Sequence, residues 1–445
     1  MSATQPQAPV PPPGPRERFA WCLFDFANSA FNTLVVTFVY VTFFQAALAK
    51  EHGDALWGAA LTVSGIVVAV ISPIAGAAAD RRRNGKKRWL VGTSVLCVGA
   101  TALLALPSVG ADGVASTATI AAALLLFVVA NVGFELMFVF YNAFLPELGD
   151  ETQIGRLSGK AWALGYAGGL CCLAVGLGFV GGLELGGTKI GPWLDDEAGW
   201  NVRATNLLVA AWFCVFALPA LLFLRDRGTG SGTQKGLRAT LREVGATFAH
   251  LRGYPDLLRL LIAHLVYNDA VLAIIGLAAL YMQGTLGMNV TDVMVTAIGL
   301  NVAAGFGAFA FGWIDDKVGA RTAIAGSLVL LLAGAVLAIA VPTPDAFRVA
   351  AALVGLGLGP NQSASRSLMA RFAPAARRAE FFGIFSLSGK ATAWVGTLLF
   401  TVVVATTGDQ RLALAPLVVM LALGLVLTLR IDQRRGEARA RETPA

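Results

Sequence analysis

Eight ionisable side chains lie inside long apolar stretches of this chain, where a charge is costly and therefore usually has a function. They are Asp25, Glu135, Lys160, Arg259, His264, Asp269, Arg366 and Lys390. Carboxylates and cations that share an apolar interior can pair with one another, carry protons or bind the charged groups of a small solute. These residues are the first candidates for chemistry in the sequence.

The rest of the chain is strongly apolar. Hydrophobic residues make up 56% of the 445 positions and charged residues only 14%, which excludes an ordinary water-soluble globule. Stretches of about 20 apolar residues, long enough to cross a bilayer core, recur throughout. We predict an all-α integral membrane protein with twelve spans, at 19–48, 56–79, 89–109, 116–141, 157–182, 204–224, 258–283, 290–313, 322–341, 347–370, 381–404 and 411–430.

Lys and Arg cluster in the loop at 81–88, in the middle loop at 225–252 and in the tail at 430–441. Because short cytoplasmic loops carry the positive excess, both termini are predicted to be cytoplasmic, in a multi-pass protein of the bacterial inner membrane. The net charge of +7 follows from this topology. We therefore expect membrane lipids as partners and no nucleic acid.

The longest polar stretch between spans divides the chain into two halves of six spans each. We predict a disordered cytoplasmic tail over 1–18, a six-helix bundle over 19–224, a cytoplasmic linker over 225–257, a second six-helix bundle over 258–430 and a cytoplasmic tail over 431–445. This division is typical of transporters built from two related bundles.

An internal repeat supports the duplication. The residues Leu-Ser-Gly-Lys-Ala occur at 157–161 and again at 387–391. Lys160 and Lys390 therefore take equivalent positions near the starts of spans five and eleven. Two interpretations remain open: a symmetric gate that attracts anions, or lysines that extend to the membrane interface.

A second repeat lies in the loops that follow spans two and eight, where Gly76-x3-Asp80-Arg81 corresponds to Gly312-x3-Asp316-Lys317. Glycine in this pattern lets a helix end approach its neighbour, and the acid can face basic groups and a helix N-terminus. Two copies at symmetric turns resemble the signature loop of the major facilitator superfamily. The predicted cytoplasmic gate residues are Gly76, Asp80, Arg81, Gly312, Asp316, Lys317 and Arg321.

Several segments carry polar residues inside apolar helices, which hydrophobicity alone would not select. They lie at 24–31, 141–148, 165–169, 267–269, 365–368 and 380–391. On these segments the chain resembles the vacuolar amino-acid effluxer-like, autophagy-related family of the major facilitator superfamily. The resemblance implies two six-helix bundles and, in fungi, export of amino acids from an acidic compartment; it leaves the bacterial substrate open.

In that fold spans one, four, seven and ten line a central cavity, and Asp25, Glu135, Asp269 and Arg366 fall in these four spans. Asp269 and Glu135 are the candidate proton carriers, and Arg366 could clamp a carboxylate. The alternatives are a helix-start role for Asp25 and a structural pairing of Glu135 with Lys160 or Arg366. The predicted cavity residues are Asp25, Asn28, Asn32, Glu135, Asn142, Lys160, Asn268, Asp269, Asn361, Gln362, Arg366 and Lys390.

The sequence thus predicts a monomeric secondary active transporter that moves a small polar solute, in particular amino acids, by alternating access coupled to protons. A drug or metabolite exporter of the same superfamily is the alternative, and a membrane sensor without transport is a third. An ATP-driven pump is excluded because Ser158-Gly159-Lys160 lacks the other residues of a phosphate loop.

We expect no enzyme activity, cofactor or metal site, because the three histidines are isolated from one another: His52, His250 and His264. All five cysteines fall in predicted spans rather than in external loops. We interpret them as reduced core residues without a disulfide framework.

Overall fold

The computed structural model describes residues 11–110, 113–181, 183–185, 188–228 and 237–442. Each of the twelve predicted spans is helical in these residues. In chain order, and named span one to span twelve, the helices are Pro15–Leu48, Gly53–Arg81, Gly85–Leu103, Thr117–Leu148, Ile154–Val180, Trp200–Phe223, Pro255–Gly284, Val290–Val318, Ala320–Ala340, Pro344–Phe372, Ala375–Thr407 and Gln410–Leu429.

Ten of the helices in the described residues are long and apolar enough to cross a membrane by length and composition alone. The other two are spans three and ten. Span three begins with Lys86-Lys87-Arg88, and span ten carries a polar run from Asn361 to Ser367. Both lie within the bundle beside apolar spans, so their polar residues can be satisfied by protein contacts.

The helices form two six-helix bundles. Spans one, five and six pack together in the first bundle and spans eight, nine and ten in the second. The two bundles meet where span two contacts span eleven and where span five contacts spans eight and ten.

Shorter elements join the spans. Strands β1 (Leu183–Leu185) and β2 (Thr188–Ile190) form an antiparallel hairpin between spans five and six, followed by a short 3₁₀ helix over Glu197–Gly199. A linker helix (Leu237–His250) and a short helix (Leu251–Gly253) precede span seven, and a C-terminal helix (Gln433–Glu442) follows span twelve.

Part of the predicted linker and tails is therefore helical. Residues 1–10 and 443–445 of the predicted tails, and 229–236 of the linker, lie outside the described residues. We call the end of the bundle that holds the linker helix, the C-terminal helix and the loops after spans two, four, eight and ten the basic end.

Two spans depart from a regular helix. In span one, Val39 N–H donates to Leu34 O at 2.9 Å and Ala49 N–H donates to Phe44 O at 2.8 Å, so the helix widens into π-type turns. Span eleven is two helices, Arg378–Lys390 and Val395–Thr407, joined by turns. The predicted span over 381–404 lies within Ala375–Thr407, but hydrophobicity gave no sign of the break inside it.

Many large apolar side chains lie on the outer surface, as expected where lipid replaces water. Cys22, Cys97 and Cys172 are buried, whereas Cys171 and Cys214 are exposed. The prediction of five core cysteines was therefore wrong for two of them. An apolar residue of a membrane helix need not face the core.

Candidate functional site

Arg366 of span ten joins the two bundles. Its guanidinium donates to Ser158 Oγ at 2.9 Å, to Ser158 O at 2.8 Å, to Asp25 Oδ2 at 3.0 Å and to Asn142 Oδ1 at 3.3 Å. Only 2% of the Arg366 side chain is exposed. One cation of the second bundle is thus bound by spans one, four and five of the first.

Aromatic rings complete the surroundings of this cation. The Arg366 guanidinium carbon lies 4.9 Å from the ring centre of Trp21 and 5.5 Å from those of Tyr141 and Trp162. Trp21 and Tyr141 are themselves locked together, since each donates from its side chain to the backbone oxygen of the other at 3.0 Å. The paired carboxylate and the ring faces together offset the cost of removing the guanidinium from water.

Three predicted residues, Asp25, Asn142 and Arg366, therefore meet in one cluster. Ser158 was not predicted to belong to it. Ser158 belongs to the repeated Leu-Ser-Gly-Lys-Ala motif, but the sequence interpretation gave the functional role in that motif to Lys160.

A second ion pair joins the bundles further from the basic end. Lys390 Nζ of span eleven lies 2.6 Å from Glu135 Oε1 of span four, and the two side chains are 28% and 20% exposed. Glu135 precedes Asn142 by seven residues on one helix, so the two pairs lie about 10 Å apart along the bundle. The alternative interpretation paired Glu135 with Lys160 or Arg366; in the structure Glu135 pairs with Lys390.

Lys160 does not repeat the arrangement of Lys390. It is exposed, and helix geometry places it about 200° around span five from Ser158 and from Trp162, which face Arg366. The symmetric gate is therefore not observed. Span five continues to Val180 whereas the first helix of span eleven ends at Lys390, so the same five residues enter different local structures.

Asp269 lies elsewhere than predicted. Its side chain is buried, and both carboxylate oxygens accept from Gly396 N–H at 3.2 Å. Gly396 lies in the first turn of Val395–Thr407, where the break in span eleven frees backbone N–H groups. Asp269 thus binds a helix N-terminus inside the second bundle rather than facing the space between the bundles.

The predicted amides divide into two groups. Asn28 donates to Asp25 Oδ1 at 3.3 Å, Asn268 to Gly389 O at 3.1 Å and Asn361 to Ser327 Oγ at 3.2 Å. Asn361 therefore faces span nine instead of the cavity. Asn32 is exposed and Gln362 is half-buried, so these two amides are more accessible than the three named above.

The gate aspartates bind helix N-termini of the opposite bundle. Asp80 accepts from Ala379 N–H at 3.1 Å and Glu380 N–H at 2.8 Å, at the start of span eleven. Asp316 accepts from Gly155 N–H at 2.8 Å and Arg156 N–H at 3.1 Å, at the start of span five. A carboxylate stabilises the positive end of a helix, so these two contacts close the basic end symmetrically.

Glycines permit the same closure. A Cβ atom on Gly76 would collide with the backbone of Ala379, and one on Gly383 with the backbone of Ser72. On the other side, Gly312 lies against Gly155 in the same way, with 3.0 Å between its ideal Cβ and the Gly155 oxygen. The bundles therefore touch backbone to backbone at the basic end.

The remaining gate residues lie around this contact. Arg81 donates to Thr240 Oγ1 of the linker helix at 2.6 Å, and Arg321 N–H donates to Gln433 Oε1 of the C-terminal helix at 3.1 Å. Lys317 is exposed. The linker helix and the C-terminal helix thus cover the two seams from outside.

A buried ion network at the basic end was missed by the sequence analysis. Lys86 contacts Glu147 and lies 3.2 Å from Asp226, and Arg378 of the second bundle donates to Glu147 at 3.2 Å. In the second bundle, Arg371 donates to Asp315 at 2.8 Å. These residues lie in basic loops and helix ends, so sequence position alone could not separate them from solvated charges.

The chain matches one protein family over most of its length. The family described as "Vacuole effluxer Atg22 like" matches residues 55–441. The Bacillus subtilis (strain 168) protein named "Uncharacterized MFS-type transporter YxiO" is 26% identical over 93% of this chain and 94% of its own length. "Autophagy-related protein 22-1" of Aspergillus niger is 25% identical over 65% of this chain, which spans about half (51%) of that relative.

Solved structures show the same fold. The major facilitator superfamily transporter FucP, in the outward conformation, superposes with a TM-score of 0.74 at 14% identity, covering 93% of this chain and 98% of FucP. The human organic anion transporter MFSD10 superposes with a TM-score of 0.72 at 14% identity, covering 94% of this chain and 100% of that chain.

Proposed function

Because the chain belongs to the vacuole effluxer Atg22-like family of the major facilitator superfamily, we propose that it is a secondary active transporter of amino acids, working by alternating access and coupled to protons. The family name describes an effluxer, and E. coli FucP is described as a fucose:proton symporter. Those descriptions support export and proton coupling as the properties to test.

One observation carries the proposal. Arg366 of the second bundle is bound by Asp25, Asn142 and Ser158 of the first, so an ion pair holds the two halves together near the basic end. Alternating access requires contacts between the halves that form in one state and break in the other. A buried cross-bundle pair is such a contact.

The surroundings fit a small polar solute. Glu135, Lys390 and Gln362 are partly exposed, and because the basic end is closed we expect a solute to reach them from the opposite end. Both charge signs and an amide are present, which suits a molecule with donors and acceptors. Because Asp269 is bound to a helix N-terminus, Glu135 is the better placed carboxylate to carry a proton.

From the positive-inside rule we expect the basic end to face the cytoplasm, in a protein of the bacterial inner membrane. The solute-accessible side in this conformation is then the outer side. We expect a monomer, because each bundle finds its partner within the same chain.

The test is uptake of a panel of labelled amino acids into proteoliposomes, with and without an imposed proton gradient. We compare the wild type with Arg366→Ala and with the control Arg348→Ala, whose side chain pairs with Asp292 and Asp345 on the exposed surface. We expect gradient-driven uptake by the wild type and by the control, and none by Arg366→Ala. If folded wild-type protein transports no amino acid under either direction of the proton gradient, the amino-acid assignment is wrong.

A further inference from the structure

Two of the ion pairs that join the bundles, Arg366–Asp25 and Glu135–Lys390, differ in how completely they are satisfied. Arg366 has four hydrogen-bond contacts to the first bundle, and the Arg366 and Asp25 side chains are only 2% and 4% exposed. Little donor capacity is left for a solute. This pair is suited to holding the bundles together rather than to recognising a ligand.

The Glu135–Lys390 pair is unsaturated by comparison. It rests on one contact of 2.6 Å, and neither side chain has another hydrogen bond within the described part of the chain. A carboxylate has about four acceptor sites and an ammonium three donors, so most of their capacity is unused. Their exposed fractions of 20% and 28% show that a water-sized group reaches both.

The open side of the pair faces the space between the bundles. Between Ala130 and Ala143 the side chains of span four that are not fully buried recur every three or four residues, which is one helix face. Glu135 and Asn142 on that face contact Lys390 and Arg366 of the second bundle. The face therefore borders the cavity and not the lipid. Its members are Val132, Glu135, Phe138 and Asn142.

We propose that Glu135 and Lys390 are the residues that recognise the charges of the transported solute. A zwitterion takes the place of the pair, with its anionic group on Lys390 and its cationic group on Glu135. This assignment rests on the proposed function, and it places solute recognition about 10 Å above the Arg366 cluster, with which Glu135 shares one face of span four.

The exchange has a mechanical consequence. Lys390 ends the first helix of span eleven, which packs on spans two and four of the first bundle as well as on span seven of its own, whereas Val395–Thr407 packs on spans seven and twelve of its own bundle. A zwitterion that separates Lys390 from Glu135 removes the ion pair between this helix and span four. A solute with only one charge would leave one partner unpaired in the cavity, which is costly.

The experiment measures uptake of an equimolar mixture of the twenty labelled amino acids into proteoliposomes. The variants are Glu135→Gln, Lys390→Gln and the charge exchange Glu135→Lys/Lys390→Glu. Lys160→Gln is the matched control, because Lys160 has the same position in its copy of the motif but faces away from the Arg366 cluster. Since a lost charge-assisted contact weakens binding roughly tenfold to hundredfold, we expect uptake at low substrate concentration to fall at least tenfold in both single variants. The control should stay within twofold of the wild type.

The charge exchange keeps the ion pair with its polarity reversed, so it separates loss of recognition from loss of folding. We expect its uptake to exceed that of either single variant. Single variants that transport within twofold of an active wild type, or a charge exchange no better than they are, would overturn this inference alone. An inert wild type would overturn the proposed function and this inference together.

Discussion

At the scale of single residues, the Arg366 cluster decides how the two bundles are held. A buried guanidinium with several acceptors and three aromatic neighbours is stable only as a complete set, since each partner compensates the burial of another. Asp25 is the charged partner. Removing either member leaves a charge that nothing else in the cluster neutralises.

Arg366→Gln should therefore destabilise the folded protein by roughly 3–5 kcal/mol, because Asp25 would remain buried without its cation. The further substitution Asp25→Asn removes the orphaned charge, so the double variant should unfold at a higher temperature than Arg366→Gln. Thermal unfolding of the detergent-solubilised protein measures this. A double variant that unfolds below both single variants would contradict the pairing.

Residue identity and residue orientation were not equally predictable. The polar positions of spans one, four and ten stood out because the sequence around them is apolar. Lys160 and Lys390, however, have identical neighbours, yet Lys390 pairs with Glu135 whereas Lys160 is exposed. Identical local sequences cannot encode such a difference; tertiary contacts impose it.

At the scale of helices, span eleven is the element whose form hydrophobicity could not show. Its length and composition predicted a membrane span but not the break within it, because a break changes hydrogen bonding without changing polarity. Asp269 is the residue in the sequence that could have pointed to the break. An acid in the middle of span seven needs a hydrogen-bond donor, and the N–H group of Gly396 at the break supplies one. An intramembrane acid can therefore indicate a broken neighbouring helix as well as a cavity.

Asp269→Ala should loosen the start of Val395–Thr407, since the Gly396 N–H group loses its acceptor. We expect a loss of about 1 kcal/mol in local stability, as for a removed N-terminal cap. Hydrogen exchange of the amides at 395–398 should accelerate several-fold. In the control Asp409→Ala, which removes the acceptor of Arg411 N–H, those amides should be unaffected; equal exchange in wild type and Asp269→Ala would refute the assignment.

The backbone contact between spans two and eleven leads to a second prediction, about closure of the basic end. Gly383→Leu places a side chain against the Ser72 backbone and should force the basic end open. The readout is labelling of Ser367→Cys, a fully buried site one residue from Arg366, by a thiol reagent applied from the basic side. The native cysteines are replaced by serine in these chains.

We expect thiol labelling of Ser367→Cys to be at least severalfold faster in the Gly383→Leu chain than in the same chain with Gly383 retained. Gly276→Leu is the matched control, because a Cβ atom there meets nothing within 4 Å. Unchanged labelling in Gly383→Leu, or an equal rise in the control, would show that this contact does not close the basic end.

At the scale of the whole molecule, the two halves close on each other by one repeated device. The aspartate after span two binds the start of span eleven, and the aspartate after span eight binds the start of span five. The two copies of the repeated loop predicted from the sequence thus make equivalent contacts, each with the opposite half. Twelve helices and the loop motif could be read from the chain; which helix each aspartate meets depends on packing between distant segments.

Reciprocal contacts should contribute additively, since Asp80 and Asp316 share no partner among the described residues. Replacing a carboxylate at a helix N-terminus by an amide weakens the contact by roughly 1 kcal/mol, so Asp80→Asn/Asp316→Asn should lower the closed population about thirtyfold relative to the open one. Pulsed EPR distances between labels at Arg83→Cys and Val318→Cys, both exposed, would report this as a longer separation. Each single variant should give an intermediate shift and the surface control Asp345→Asn none; a double variant with the wild-type distance distribution would mean that the aspartates do not determine closure.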